Sequence, residues 1–369
     1  MKKLWTAVAA ILSLAVLGGC SREEEFSTQT RYFFNMNTQA ELVITDVFTE
    51  EKNKRFNELC VEITDELSAI EKALSVNVTN SGISKFNSAN AGEKVEVGYT
   101  AYSALTLAKS AYELTGGCYN PAVYYSVHAY GFNEASDLKV PYEDRIPSDE
   151  KIEAFRQISS HFGEVLLVCE NNMYYAVKPA AVVEELTLKV DLGGLGKGIA
   201  VDRVNELLTE YGFEYGYFSF GTSSIACKKH YKNGEYNLGL TNPRSDEYGK
   251  IYANTSVRDE CLSTSGDYQQ FFLLDGAWYC HVIDPATARP VNRGIMSATV
   301  IGGTAAEGDA LTTAIMAMDK DYAVKFINEK LADRRVVFSY DNGGKYEIYS
   351  NFTGLVSAHK LFTVVQDVA

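Results

Sequence analysis

The sequence predicts an α+β fold: a single domain of largely antiparallel strands with helices packed against them. Three observations carry this reading. Short apolar runs of strand character recur between turn residues, apolar spacing of three and four residues is confined to separate stretches, and the strands come in groups. Grouped strands exclude the one-strand, one-helix rhythm of a doubly wound α/β sheet. No Pro-, Gly- or Ser-rich linker and no repeat interrupts the 369 residues, so the domain is expected to run from 30 to 369.

In chain order, 30–47 alternates as a hairpin, with Tyr32, Phe34 and Met36 on one arm, Ala40, Leu42 and Ile44 on the other, and Asn37-Thr38-Gln39 at the turn. An amphipathic helix over 50–75 follows, its stripe running through Phe56, Leu59, Cys60, Ile63, Leu67, Ile70 and Leu74. A short helical piece ends at Ser84-Lys85-Phe86-Asn87. Gly116-Gly117 stops a helix over 99–114, and the aromatic-rich stretch 118–132 reads as core. A helix over 147–160 and strands at 164–169 and 173–177 come next. A strand at 186–192 then runs into Gly193-Gly194-Leu195-Gly196-Lys197-Gly198 and a helix through Ile199 to Leu208. Strands are expected at 215–227, 236–240, 251–257, 267–274, 278–283 and 296–301, helices at 305–318 and 321–331, and closing strands at 335–340 and 346–349.

The N-terminus reads as a secretion signal. Met1-Lys2-Lys3 precedes an apolar run over 4–17, too short to span a bilayer, which ends in Leu17-Gly18-Gly19-Cys20. Small residues before a Cys mark a lipoprotein signal over 1–19. Cys20 is then the acylated N-terminus and 20–29 a solvated tether, which implies an extracytoplasmic protein anchored to a membrane by lipid. Losing Lys2 and Lys3 makes the mature chain two units more acidic than the −14 of the whole sequence. So acidic a surface excludes nucleic acid as a partner and requires any phosphate ligand to be held by a metal, by Lys or Arg, or by backbone amides. The six cysteines after Cys20 have no CxxC pair and no zinc-like spacing, and read as scattered buried thiols.

Chemistry concentrates between His281 and Met318. This stretch holds His281 and Asp284 in one motif, then Asp309, Thr312 and Thr313 in a helix. Asp309 and Thr313, four residues apart, share a helix face, and a carboxylate beside a hydroxyl can hold a hard cation such as Mg²⁺ that keeps several waters. The competing reading is an Asp near a helix start, favoured by the helix dipole. The Gly193–Gly198 stretch is a second candidate, since backbone amides at a helix start bind phosphate. It fails as a Walker loop, which would need Gly in place of Asp191 and Ser or Thr in place of Gly198. It fails as a dinucleotide GxGxxG because Ile199 stands at the last Gly.

Four motifs in order, Asp191-Leu-Gly-Gly-Leu-Gly-Lys197-Gly-Ile-Ala-Val-Asp202, Ser263-Thr-Ser-Gly-Asp267-Tyr268, His281-Val-Ile-Asp-Pro-Ala-Thr and Asp309-Ala-Leu-Thr-Thr313, resemble the ApbE family, the FAD:protein FMN transferases. Weaker matches are Met36-Asn-Thr38, Ser84-Lys-Phe86-Asn87 and Gly117-Cys-Tyr-Asn120-Pro. The resemblance implies a Mg²⁺-dependent enzyme that cleaves FAD, places FMN on a Thr or Ser hydroxyl of a membrane or secreted redox protein, and releases AMP. It assigns the metal shell to Gly194, Asp309 and Thr313. FAD contacts fall on Met36, Asn77, Cys118, Tyr119, Asn120, Asp191, Lys197, His281 and Ile283, with His281 as proton acceptor. The chain departs from the family pattern at Asn120, where Asp is common, and at Ser219-Phe-Gly-Thr222-Ser223-Ser224. A Mg²⁺-dependent FAD pyrophosphatase and a non-enzymatic FAD-binding lipoprotein would use the same pocket.

Overall fold

The computed structural model describes residues 25–133, 140–244, 251–357 and 359–365. The expected lipoprotein signal, Cys20 and the first half of the expected tether lie outside them, and the end of that tether, from Ser27, belongs to a strand. Eight α-helices occur among the described residues: α1 (Glu50–Leu74), α2 (Gly82–Ser88), α3 (Tyr99–Leu114), α4 (Tyr124–Ala129), α5 (Asp149–Ser159), α6 (Gly193–Glu210), α7 (Ala305–Met316) and α8 (Lys320–Lys330). The fold is α+β as the sequence predicts.

Its centre is a nine-stranded sheet whose order is Ser27–Asn35, Thr38–Asp46, Gly216–Phe220, Ser224–Cys227, Glu260–Gly266, Ile295–Ile301, Arg335–Asp341, Tyr346–Ser350 and Phe362–Val365. All neighbours are antiparallel except the last pair. Every residue of Ile295–Ile301 is buried, because both faces of the sheet are covered. On one face Ala298, Val300, Val336 and Phe338 join the main core with α6 and α7. On the other, Met296, Ile301, Val337 and Ile348 pack with Leu240, Tyr252 and Val257 of the small sheet containing Tyr236–Thr241 and Ile251–Val257.

Helix α1 forms where the apolar stripe predicted it: Thr49 caps it through Lys52 N, and Phe56, Leu59, Ile63, Leu67, Ile70 and Leu74 are buried. Helix α3 occupies the predicted 99–114.

Four expectations are corrected. Residues 186–192 make no sheet ladder; apart from a bridge between Val183 and Leu186, the segment is held by side chains and by Asp191 N bonding to Pro121 O. Residues 215–227 are two strands, because Thr222 with φ +64° and Gly221 with φ +63° turn the chain back on itself. The expected strand over 267–274 is instead the end of a hairpin arm, Phe271–Leu274, and a central strand, Glu260–Gly266, precedes it. The expected glycine loop before α6 is the helix's own first turn.

Candidate active site

Helices α6 and α7 make the site by touching. At Gly198 a Cβ would fall 2.5 Å from Ala306 Cα, so only glycine lets the two backbones approach this closely. The contact is fixed by two carboxylates, one from each helix. Asp202 of α6 accepts from Ala305 N (2.6 Å) and Ala306 N (3.0 Å), and Asp309 of α7 accepts from Gly198 N (2.7 Å). The N-terminus of α7 is further satisfied by a Thr304–Glu307 capping box. Asp309 is therefore not held by the amides of its own helix start, and Asp202 and Glu307 fill the role that the dipole reading offered for it.

Beneath Asp309 lie two serines from adjacent strands, Ser224 and Ser263, paired across the sheet. Ser224 Oγ donates to Asp309 Oδ1 (2.7 Å). The carboxylate is only 7% exposed, and burial drives its pKa from 3.8 up to about 6; the charge of Lys197, the hydroxyls of Ser224 and Ser263 and the Gly198 amide pull it back. One turn on, Thr313 Oγ1 donates to Asp309 O (2.9 Å) and lies 3.4 Å from Ser265 Oγ. A Cβ added at Gly194 would stand 3.8 Å from the same Thr313 oxygen. Gly194, far in sequence from Asp309 and Thr313, thus shares one corner with them.

That corner opens into a cavity of about 1390 Å³, beyond the roughly 300–1,000 Å³ of a typical small-molecule pocket. Every residue expected at the site lines it: Met36, Asn77, Cys118, Tyr119, Asn120, Asp191, Gly194, Lys197, His281, Ile283, Asp309 and Thr313. The positive φ of Met36, +48°, places it in the tight turn between the first two strands. Asn77 follows α1, its backbone N–H donating to Ser75 Oγ. Asp191 takes Gly193 N (2.8 Å) on its carboxylate, and desolvation raises its pKa against that bond. The Tyr119 hydroxyl is buried without a hydrogen-bond partner, and desolvation, then Asp191 and Asp309, raise its pKa well above 10. Asn120 is committed elsewhere: its side chain caps the following turn at Ala122 N (2.9 Å) and donates to Ser159 O (2.8 Å). Its departure from the family pattern therefore leaves a shaping residue in the wall. Ile283 is buried with Tyr130 and Phe272.

His281 sits at the cavity wall with Nδ1 3.3 Å from Gln270 O. A carbonyl only accepts, so this contact favours the proton on Nδ1 and leaves Nε2 with its lone pair. Burial of the ring and then the charge of Lys197 push its pKa down to about 4, against the Gln270 contact. Both causes favour the neutral ring. Asp284 of the same motif is structural: buried, it holds Arg293 (2.7 Å) and Ala286 N (2.9 Å).

Sequence reasoning missed Ser224 and left Ser263 and Ser265 without roles, although all three lie in stretches it singled out. Nothing in a run of serines tells which one faces an acid. Among the described residues no cluster of three or more His, Cys, Asp or Glu side chains could hold a metal, so any cation here rests on one carboxylate with neutral oxygens. The six cysteines among the described residues are all free; Cys227, Cys261 and Cys280 are buried, Cys60 and Cys118 partly so, and Cys169 is exposed.

Comparisons with known proteins point the same way as the geometry. A Vibrio cholerae protein named FAD:protein FMN transferase is 27% identical over 360 residues, which is 95% of this chain and 98% of the relative. A Treponema pallidum protein of the same name is 25% identical, over 89% of this chain and 88% of the relative. Among solved structures, the ApbE protein of Thermotoga maritima superposes with a TM-score of 0.70 at 25% identity, covering 85% of this chain and 94% of that one. The V. cholerae flavin transferase ApbE gives 0.70 at 24%, covering 88% and 97%, a likeness of fold. The ApbE family model matches residues 36–338, spanning every site motif described above, and the chain belongs to the ApbE family.

Proposed function

We propose that this chain transfers FMN from FAD to a Thr or Ser hydroxyl of an acceptor protein, forming a phosphoester and releasing AMP, with Mg²⁺ as cofactor. The observation that carries the reading is the convergence of Lys197, His281 and Asp309 on one large cavity at the junction of α6 and α7. Relatives over nearly the whole chain that bear the transferase name support it.

The residues suit the chemistry. Asp309 is a buried carboxylate, and Thr313 and Gly194 stand beside it with neutral oxygens to offer. A hard ion that keeps waters and phosphate oxygens in its shell fits so sparse a donor set, and Gly194, Asp309 and Thr313 would hold it. When bound, Mg²⁺ supplies charge neutralisation at the pyrophosphate. Lys197 brings positive charge to the same place in an acidic protein. The acceptor oxygen attacks the phosphorus of the FMN half and the bond to the AMP phosphate oxygen breaks. The hydroxyl proton passes to Nε2 of His281. An arriving pyrophosphate offsets the charge of Lys197, which is the second cause of the low His281 pKa, so substrate binding makes His281 a stronger base.

The acceptor belongs, in this reading, to a membrane or secreted redox complex, and Cys20 carries the lipid that keeps the enzyme at an extracytoplasmic membrane face. No helix among the described residues is long and apolar enough to cross a membrane. The test is to mix purified protein with FAD and Mg²⁺ and to measure AMP with and without an acceptor domain. AMP together with acceptor-bound flavin supports the transferase. AMP at the same rate without acceptor makes it a pyrophosphatase, and no AMP in either arm leaves only flavin binding.

A further inference from the structure

The segment entering the site has no sheet to hold it. Residues 187–192 belong to no strand, yet they lead Asp191 and then Gly194 into the cavity. What replaces the missing ladder is a side chain. Asn87, buried in α2, donates through Nδ2 to Val190 O (2.8 Å) and accepts at Oδ1 from Val190 N (2.8 Å). One primary amide thus satisfies both backbone groups of a residue 103 positions away, as a neighbouring strand would. Behind it stands Lys178, 1% exposed, whose ammonium spends its three donors on Asn87 O (3.0 Å), Ala89 O (3.0 Å) and Thr187 Oγ1 (3.1 Å). Its Nζ also lies 5.2 Å from the centre of the Phe86 ring. The Lys178 backbone is tied in turn to Gly92 N and Glu93 O.

We propose that Asn87 and Lys178 are positioning residues for the nucleotide and metal end of the site: they clamp 187–190 so that Asp191 and the first turn of α6 meet α7. Neither lines the cavity, so they act through the segment they grip. The role gives a reason for the Ser84-Lys85-Phe86-Asn87 motif, which the site chemistry does not otherwise use. It rests on the transferase reading for what the segment positions, and on geometry alone for the clamp itself.

The test compares Asn87→Ala, Asn87→Asp and Lys178→Met with Asn351→Ala in the full chain. Asn351 is a matched control that does not line the cavity, since its amide likewise satisfies backbone groups, at Val336 N and Arg334 O. Two readouts are taken: backbone hydrogen exchange over 186–196, and the Mg²⁺ and Mn²⁺ half-saturation of AMP release per folded molecule. The clamp predicts at least tenfold faster exchange at 187–192 and at least a fivefold higher metal half-saturation in the Asn87 and Lys178 variants. Asn351→Ala should change neither. Asn87→Asp keeps the bond from Val190 N but sets a carboxylate against Val190 O, so it should fall on the same side while preserving volume. Exchange and half-saturation equal to the Asn351→Ala protein would overturn the proposal. If the parent releases no AMP, the transferase reading falls, and the exchange measurement still decides the clamp.

Discussion

Replacing Asp309 with Asn separates the cost of a buried charge from its use. The carboxyl titrates near 6 in the folded protein against 3.8 as its ordinary value, chiefly because burial penalises the anion. A raised folded pKa means that the native state prefers the proton. The associated stability is fully present below about pH 3.8 and is lost as pH rises through about 6. A shift of roughly two units corresponds to about 3 kcal/mol by pH 8. The Asn side chain keeps the volume, can accept from Gly198 N, and can donate to Ser224 Oγ once that hydroxyl rotates. In EDTA, then, Asp309→Asn should melt with the parent near pH 4 and above it at pH 8, by about 5 °C for a domain of this size. Adding Mg²⁺ at pH 8 should raise the melting temperature of the parent and not that of the variant, because only the parent has a site to be saturated. AMP release should fall at least a hundredfold. A variant that melts below its parent at pH 8 in EDTA would refute the argument, since the carboxylate would then be stabilising the fold rather than taxing it.

The other expectations are briefer. Lys197→Ala should weaken FAD binding by about 1–3 kcal/mol in a fluorescence titration, the size of a charge-assisted phosphate contact. The same change removes a cause of the depressed His281 pKa, so the acid limb of kcat/KM should move to higher pH. Thr313→Val should raise the metal half-saturation but cost less activity than Asp309→Asn, because water can replace a neutral hydroxyl; Mn²⁺ should substitute for Mg²⁺ and EDTA abolish turnover. Gly198→Ala should lower both melting temperature and AMP release, since its Cβ would meet the backbone of α7 at 2.5 Å. Cys20→Ala should leave the protein in the soluble fraction after a high-salt wash if lipid is its anchor.

What the sequence made legible and what it hid divide along one physical line. The stripe from Phe56 to Leu74 and the alternation from Ala40 to Ile44 are statements about which face is buried, and periodicity reports burial directly. Helices α1 and α3 and the second arm of the first hairpin follow from it, whereas Tyr32 and Phe34 of the first arm are exposed and Met36 lies in the turn. Residues 186–192 show where it fails, because Leu188, Val190 and Leu192 alternate and are buried exactly as a strand's would be, yet the partner of Val190 is an amide from Asn87. Periodicity registers that a segment is extended and half-buried, and is blind to what satisfies its backbone. The site divides in the same way. Groups whose chemistry is rare, a His beside an Asp and a Lys among glycines, announced themselves, whereas the two serines under Asp309 did not. Ser224 and Ser263 matter because two strands bring them side by side beneath α7, and Asp309 reaches Gly198 N because that position and Gly308 are glycine where a Cβ would collide with Ala306 or Ser263. The catalytic types were therefore readable one by one. Their common corner is a property of the α6–α7 contact, written in two glycines and a pair of serines that mean nothing until the sheet is assembled.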